Sequence, residues 1–297
     1  MKSKGLIITL IVILSILAVS LIGGMILLMN KDFNFSFNVG ESNLKLIDTF
    51  ETNIDGVEEL KFDLESTDVE VKETSDEIVK IEYYSNKNKK LKMEQEGSTV
   101  LVEENEKSNV CIGICINERK VVVYVPASYK GIYNIKTASG DIKYRIDIVD
   151  NKLTVNTASG DVALENAGDV YIKTVSGDVK TKNIGKNKIK TTSGDIAVKA
   201  ASGPSEIKTT SGDIAVTKVS KGIDFQTVSG DISVSNLTID ENSEIKTTSG
   251  DVRINNNNST CYVDASTTSG DISIDKSDRK SDLILTIKTV SGDITVR

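Results

Sequence analysis

The tripeptide Ser-Gly-Asp occurs nine times in the 297 residues, with glycines at 140, 160, 177, 194, 212, 230, 250, 270 and 292. The spacings are 20, 17, 17, 18, 18, 20, 20 and 22 residues. This recurrence leaves the chain few options, because a unit so short cannot bury a core alone and must stack on its neighbours. The columns around the glycine define the unit. Threonine stands three before it in every copy, from Thr137 to Thr289, and an apolar residue five before it, from Ile135 to Ile287. Isoleucine or valine stands two after it, from Ile142 to Ile294. The position four after is apolar in eight of nine copies, counting Tyr144, with Thr181 the exception.

Period-2 alternation on both sides of a glycine means two short strands meeting at a corner. The branched apolar columns mark the interior face, and alternation assigns the threonine and the serine before the corner to the same face. Stacked threonines pack their methyls and bond along the axis. The pairs Gly140-Asp141, Gly160-Asp161, Gly177-Asp178, Gly194-Asp195, Gly212-Asp213, Gly230-Asp231, Gly250-Asp251, Gly270-Asp271 and Gly292-Asp293 receive a structural turn role. In it, glycine supplies an unusual backbone angle and aspartate bonds the turn's own amides. Ala167, Ile184, Ala201, Val219 and Leu237, seven after their glycines, form a third inward position leading to a second corner.

The expected fold is all-β: a β-solenoid, or single-stranded β-helix, of 17–22-residue coils. Residues 132–297 form the nine-copy array, about 43 Å long at strand spacing. Residues 44–131 form an N-terminal β region of degenerate first coils and cap, with strands over Leu60–Leu64, Ile78–Tyr83, Val100–Glu103 and Lys120–Val125. Within it, Leu64–Val71 is a repeat lacking its glycine. At the other end the chain closes on Ser291–Arg297 with no cap, which predicts end-to-end self-association through an exposed C-terminal coil.

Residues 1–30 hold a cytoplasmic tip and a membrane anchor. Leu6–Met29 is an uncharged run of 24 residues behind Lys2 and Lys4. As a helix it rises about 36 Å, enough for a hydrocarbon core of about 30 Å. The lysines keep the N-terminus in the cytoplasm and place the solenoid outside, in a single-pass protein of the cell membrane. The rival is a cleaved leader at Ala18-Val19-Ser20, but the apolar run is longer than such leaders use. Residues 31–43 are a linker or first strand in which Phe33, Phe35 and Phe37 alternate with polar residues.

The chain contains no histidine and no tryptophan. Imidazole bases, histidine metal ligands and serine–histidine triads are therefore excluded. A net charge of −7 argues against nucleic-acid binding. The three cysteines cannot build a zinc site without histidine; Cys111 and Cys115 either close a small disulfide loop or stay reduced, and Cys261 suits a buried apolar position.

The repeated T-x-S-G-D-[IV]-x-[VIL] unit, together with the weak copy at Ser66–Val71 and the strand Val122–Pro126, resembles the bacterial putative-adhesin domain family of unknown function, over about residues 40–297. The resemblance implies a membrane-anchored β-solenoid and carries no catalytic residues. Some relatives are tied to envelope-stress responses in Gram-positive bacteria, which implies an accessory or regulatory role as the alternative.

Other functions fit the residues less well. Corner aspartates at about 4.8 Å repel by only about 0.9 kcal/mol in water, so the column needs no calcium. Lysines four before the glycine in six coils (136, 173, 190, 208, 246, 288) offset that charge. Calcium stabilisation is a remote alternative, which a melt with calcium against chelator tests. Enzymes on β-helices need grooves walled by long loops, and the returns between coils are short. Ser205–Lys208 and Ser277–Lys280 match S-x-x-K without the supporting motifs of acyl enzymes. Ice binding needs the threonines on the outside. The expectation is thus no enzyme, no cofactor and no metal, but a surface interaction module for an envelope polymer or protein. Its candidate surface is the lysine column beside the outward small residues two before each glycine.

Overall fold

Alternating burial turns each repeat into two strands that share one core. Val162–Ala167 buries Val162, Leu164 and Ala167, and Asp169–Lys173 buries Val170 and Ile172. The computed structural model describes residues 44–86, 91–104, 118–147 and 150–297. These form 25 strands and no helix. Among them no helix is long and apolar enough to cross a membrane. The expected anchor at Leu6–Met29, the segment 31–43, Cys111 and Cys115 lie outside the described residues.

Each coil gives one strand to a 13-stranded sheet and one to a 12-stranded sheet. Neighbouring coils pair in parallel and in register, so like side chains stack. One ladder runs Ile172, Ile189, Ile207, Phe225, Ile245. The facing ladder runs Val179, Ile196, Ile214, Ile232, Val252. Both ladders lie in one continuous buried core. Each such side chain contributes about 1.5–3 kcal/mol relative to exposure, which the flat branched shapes realise by stacking.

The N-terminal end is built from β1 (Lys45–Asn53), β2 (Glu59–Asp63), β3 (Asp68–Thr74), β4 (Ile78–Ser85), β5 (Lys92–Glu96), β6 (Thr99–Glu103), β7 (Arg119–Pro126), β8 (Ile132–Lys136) and β9 (Ile142–Arg145). The first coil, β2–β3, is not the outermost. It lies between the coil β6–β7 and the coil β8–β9. Antiparallel strands then close the end: β4 on β7, β1 on β4 and β5 on β6.

The C-terminal end repeats this interleaving and corrects the expectation of an exposed last coil. Ile284–Lys288 pairs with Ser243–Lys246 on one side and Tyr262–Ser266 on the other. Ile294–Val296 likewise lies between Val252–Ile254 and Ile272–Ile274. The coil of Gly292 is therefore inside the stack, and the coil of Gly270 forms its edge. Ile272 is 44% exposed there, against 0% for Ile294 in the same ladder. Part of that edge is covered by the loop 275–282. Val263 N–H donates to Ser277 Oγ (3.0 Å), and Asp278 N–H donates to the Cys261 carbonyl (2.9 Å). The charges of that loop guard the edge against open pairing.

Candidate functional site

The repeated corner brings a threonine, a serine, a glycine and an aspartate together in every one of the nine copies. Its glycines matter through close approach. A Cβ on Gly160 would stand 1.9 Å from the Gly140 carbonyl oxygen, and one on Gly230 would stand 2.1 Å from that of Gly212. The expectation of an unusual backbone angle is corrected for most corners, since only Gly270 and Gly292 among the nine adopt positive φ. Coils pack corner on corner too tightly for a side chain.

The aspartates also act between coils rather than within their own turns. Asp161 N–H donates to Asp141 Oδ1 at 3.0 Å, Asp178 N–H to Asp161 Oδ1 at 2.9 Å, and Asp195 N–H to Asp178 Oδ1 at 3.0 Å. The line passes through every later coil and follows the interleaved order at the end. Asp293 N–H donates to Asp251 Oδ1 (2.8 Å) and Asp271 N–H to Asp293 Oδ1 (2.9 Å). At the other end Asp141 N–H donates to Asp68 Oδ1 (2.9 Å), so the repeat lacking glycine joins the same ladder. Every carboxylate of this line except that of edge residue Asp271 thus accepts the amide of the adjoining coil. Among the described residues no cluster of acidic and cysteine side chains is arranged to hold a metal ion.

The threonines are buried, but the serines are not: Thr137, Thr157 and Thr174 lie inside, while Ser139, Ser159 and Ser176 are exposed. The corner begins one residue earlier than strict alternation implies, which turns the serine outward. The identical tripeptide also makes two kinds of corner. In the coils of Gly140, Gly160 and Gly177 the glycine N–H donates to its own threonine Oγ1 at 3.1 Å. From the coil of Gly212 onward the threonine hydroxyl instead donates to the glycine carbonyl of the adjoining coil, as in Thr209 to Gly194 (3.5 Å), Thr227 to Gly212 (3.2 Å) and Thr247 to Gly230 (3.0 Å). The glycine amide then pairs with the next serine carbonyl, as in Gly230 to Ser249 (3.1 Å). Thr191 sits near the change, and its Oγ1 has no partner among the described residues. Nothing in the structure explains why the change falls there.

At the N-terminal end Glu104, which the repeat pattern does not mark, does the work of a missing corner. Its Oε2 accepts Glu65 N–H (2.9 Å) and the Thr67 hydroxyl (3.2 Å), and its carboxylate pairs with buried Arg119. Glu70, buried on the outward face of β3, meets Lys120 (2.5 Å), Arg145 (3.1 Å) and Lys72 (3.4 Å). Burial alone would raise its pKa, but Lys120 and Lys72 outweigh that and hold it below the usual carboxylate value.

The candidate interaction surface is present as a shallow groove of about 490 Å³ that includes Lys208, Lys246, Lys288, Val228, Thr248 and Val290. Its lysines do not offset the corner aspartates as expected. Lys208 meets Asp224 (2.6 Å) and Lys246 meets Glu244 (2.6 Å), acids two residues closer to the strand start. Lys188 and Lys190 share Glu206 at 2.7 and 3.3 Å. That face is largely self-neutralised. The two S-x-x-K serines have structural partners: buried Ser205 Oγ donates to Asn187 Oδ1 (2.8 Å), and Ser277 holds the edge strand. Cys261 is buried and unpaired by disulfide.

A family model described as Toastrack DUF4097 matches residues 57–297. No curated protein matches the chain. One solved structure, described as a "putative cell adhesion protein" from Clostridium sporogenes, is similar at 10% identity, covering 85% of this chain and 98% of that one, with a TM-score of 0.22. At that score the likeness carries no argument about this chain.

Proposed function

Since the chain belongs to the Toastrack DUF4097 family, a domain family of unknown function, we propose that it is a non-enzymatic surface interaction module of the bacterial cell envelope. The observation that carries this reading is the corner ladder. The residues that look most like chemistry, nine Gly-Asp pairs and all but one of their threonines, are spent on hydrogen bonds within and between the corners. What is left for a partner is the broad outer face of each sheet, held rigid by parallel pairing on both sides. A rigid, extended, polar face suits recognition of an extended partner, because little order has to be lost on binding.

Leu6–Met29 serves in this proposal as the single-pass anchor, with Lys2 and Lys4 in the cytoplasm and the solenoid outside. The test takes the unit Asn43–Arg297, which carries the whole described core, and measures its co-sedimentation with isolated cell envelopes. Saturable binding at micromolar concentration is expected. Binding no stronger than that of an unrelated acidic β-protein refutes the surface role. If instead deletion of the anchor abolishes a stress-signalling response while the soluble unit binds nothing, the accessory role replaces adhesion.

A further inference from the structure

Charge on the two sheets is distributed differently. The lysines of the 12-stranded sheet share its face with Glu206, Asp224 and Glu244. The 13-stranded sheet carries a groove of about 390 Å³ lined by five cations, Lys143, Arg145, Lys180, Lys182 and Lys199, against the single acid Glu165. Its floor is set by register. One ladder reads Lys143, Ala163, Lys180, Ala197, Ala215 across successive coils. Ala163 leaves a depression between Lys143 and Lys180, and Ala197 and Ala215 continue it beyond Lys180. Two of the cations are already engaged, Arg145 by Glu70 (3.1 Å) and Lys182 by Glu165 (3.0 Å). Lys143 and Lys199 have no ion pair among the described residues, and Lys180 reaches Asp178 only at 3.9 Å.

We propose that this groove binds an extended polyanion whose charged groups are phosphodiesters, which names a ligand class for the surface role proposed above. The spread of charge sets the length. Lys143 and Lys199 lie three coil spacings apart, about 14 Å, so a single small anion cannot span them. The side-chain chemistry sets the anion. Arginine forks match carboxylate and phosphate alike, but the one arginine here is held by Glu70. The unengaged cations are lysines, point charges that suit tetrahedral phosphate. The width sets the polymer, because a depression floored by single alanines beside the Lys143 and Lys180 stems takes a single flexible strand rather than a duplex.

The test uses the full chain in detergent micelles and synthetic polyglycerol phosphate, followed by fluorescence anisotropy at 50 and 200 mM salt. Binding is expected at the lower salt and at least tenfold weaker at the higher, since screening and counterion competition act directly on such contacts. The exposed triple variant Lys143→Gln, Lys180→Gln, Lys199→Gln should weaken binding at least tenfold. Lys45→Gln, Lys276→Gln, Lys280→Gln removes the same charge from exposed positions outside both grooves and should change it less than twofold. Equal losses in the two variants, equal affinity for polyglutamate, or no binding at 50 mM salt would each overturn the proposal. If envelopes bind the unit while the polymer does not, the ligand class fails and the surface role stands.

Discussion

Thr181 is the one polar residue in an otherwise apolar inward column, and exchanging it tests how the stack is held together. It is 5% exposed, its ladder neighbours are Leu164 and Val198, and its Oγ1 has no hydrogen-bond partner among the described residues. Burying a hydroxyl without a partner costs about 1–3 kcal/mol in protein mutational data. Thr181→Val keeps the branched shape and removes that cost, so a gain of about 1–2 kcal/mol is expected. For a unit of this size that is a rise in Tm of about 2–8 °C. Thr174→Val is the matched opposite. There the hydroxyl accepts the buried Gly177 amide at 3.1 Å, and the same exchange orphans that N–H. It should destabilise by about 1–3 kcal/mol. Thermal and urea melts followed by circular dichroism read both signs. If Thr181→Val melts at or below wild type, or if the two variants shift in the same direction, the hydrogen-bond assignment of the inner columns is wrong.

Three further outcomes follow from the same geometry. Gly160→Ala puts a methyl 1.9 Å from a backbone oxygen, so it should cost several kcal/mol, whereas Gly97→Ala meets no atom within 4 Å and should cost only the strain of its +61° φ; comparable melts for the two would disprove the close-approach reading. Glu70 and Glu82 are held below the ordinary carboxylate value of 4.5, Glu70 chiefly by Lys120 and Glu82 chiefly by Lys80, each against the upward push of burial. Their stabilisation is present above that value and lost as pH falls through their lower native pKa values. Hydrogen exchange should therefore show β3, β4 and β7 loosening in acid before the coils of Gly160 and Gly177, and uniform loosening would contradict this. Deleting 281–297 removes the only ladder partners that Tyr262–Ser266 and Ile272–Ile274 have among the described residues. Amides of 262–274 should lose protection while those near Gly177 keep theirs, and retained protection at 262–274 would refute the interleaved order.

What the sequence determined is the unit and its inside. A column of Ile, Val and Thr at period 2 admits one buried face, and strands at Glu59–Asp63, Ile78–Ser85, Thr99–Glu103 and Arg119–Pro126 lie where alternation put them. Local pattern suffices there because burial acts on each side chain separately. The corner was legible in composition but not in mechanism. Alternation could not show that Ser139 turns outward, nor that Asp161 bonds Asp141 instead of its own turn. Those facts depend on how closely two coils approach, a distance between residues far apart in the chain.

Order along the stack was decided only in three dimensions. Every coil presents nearly the same edge, so the repeat pattern fits chain order and interleaved order equally well. Tertiary structure places the coil of Gly292 inside that of Gly270, and β2–β3 inside β6–β7. It also brings Glu104 to a corner that has no glycine, and gathers Lys143, Lys180 and Lys199 along one groove. The physical reason is common to all three. Ladder contacts form between equivalent strands, and a repeat makes strands equivalent without saying which two will meet.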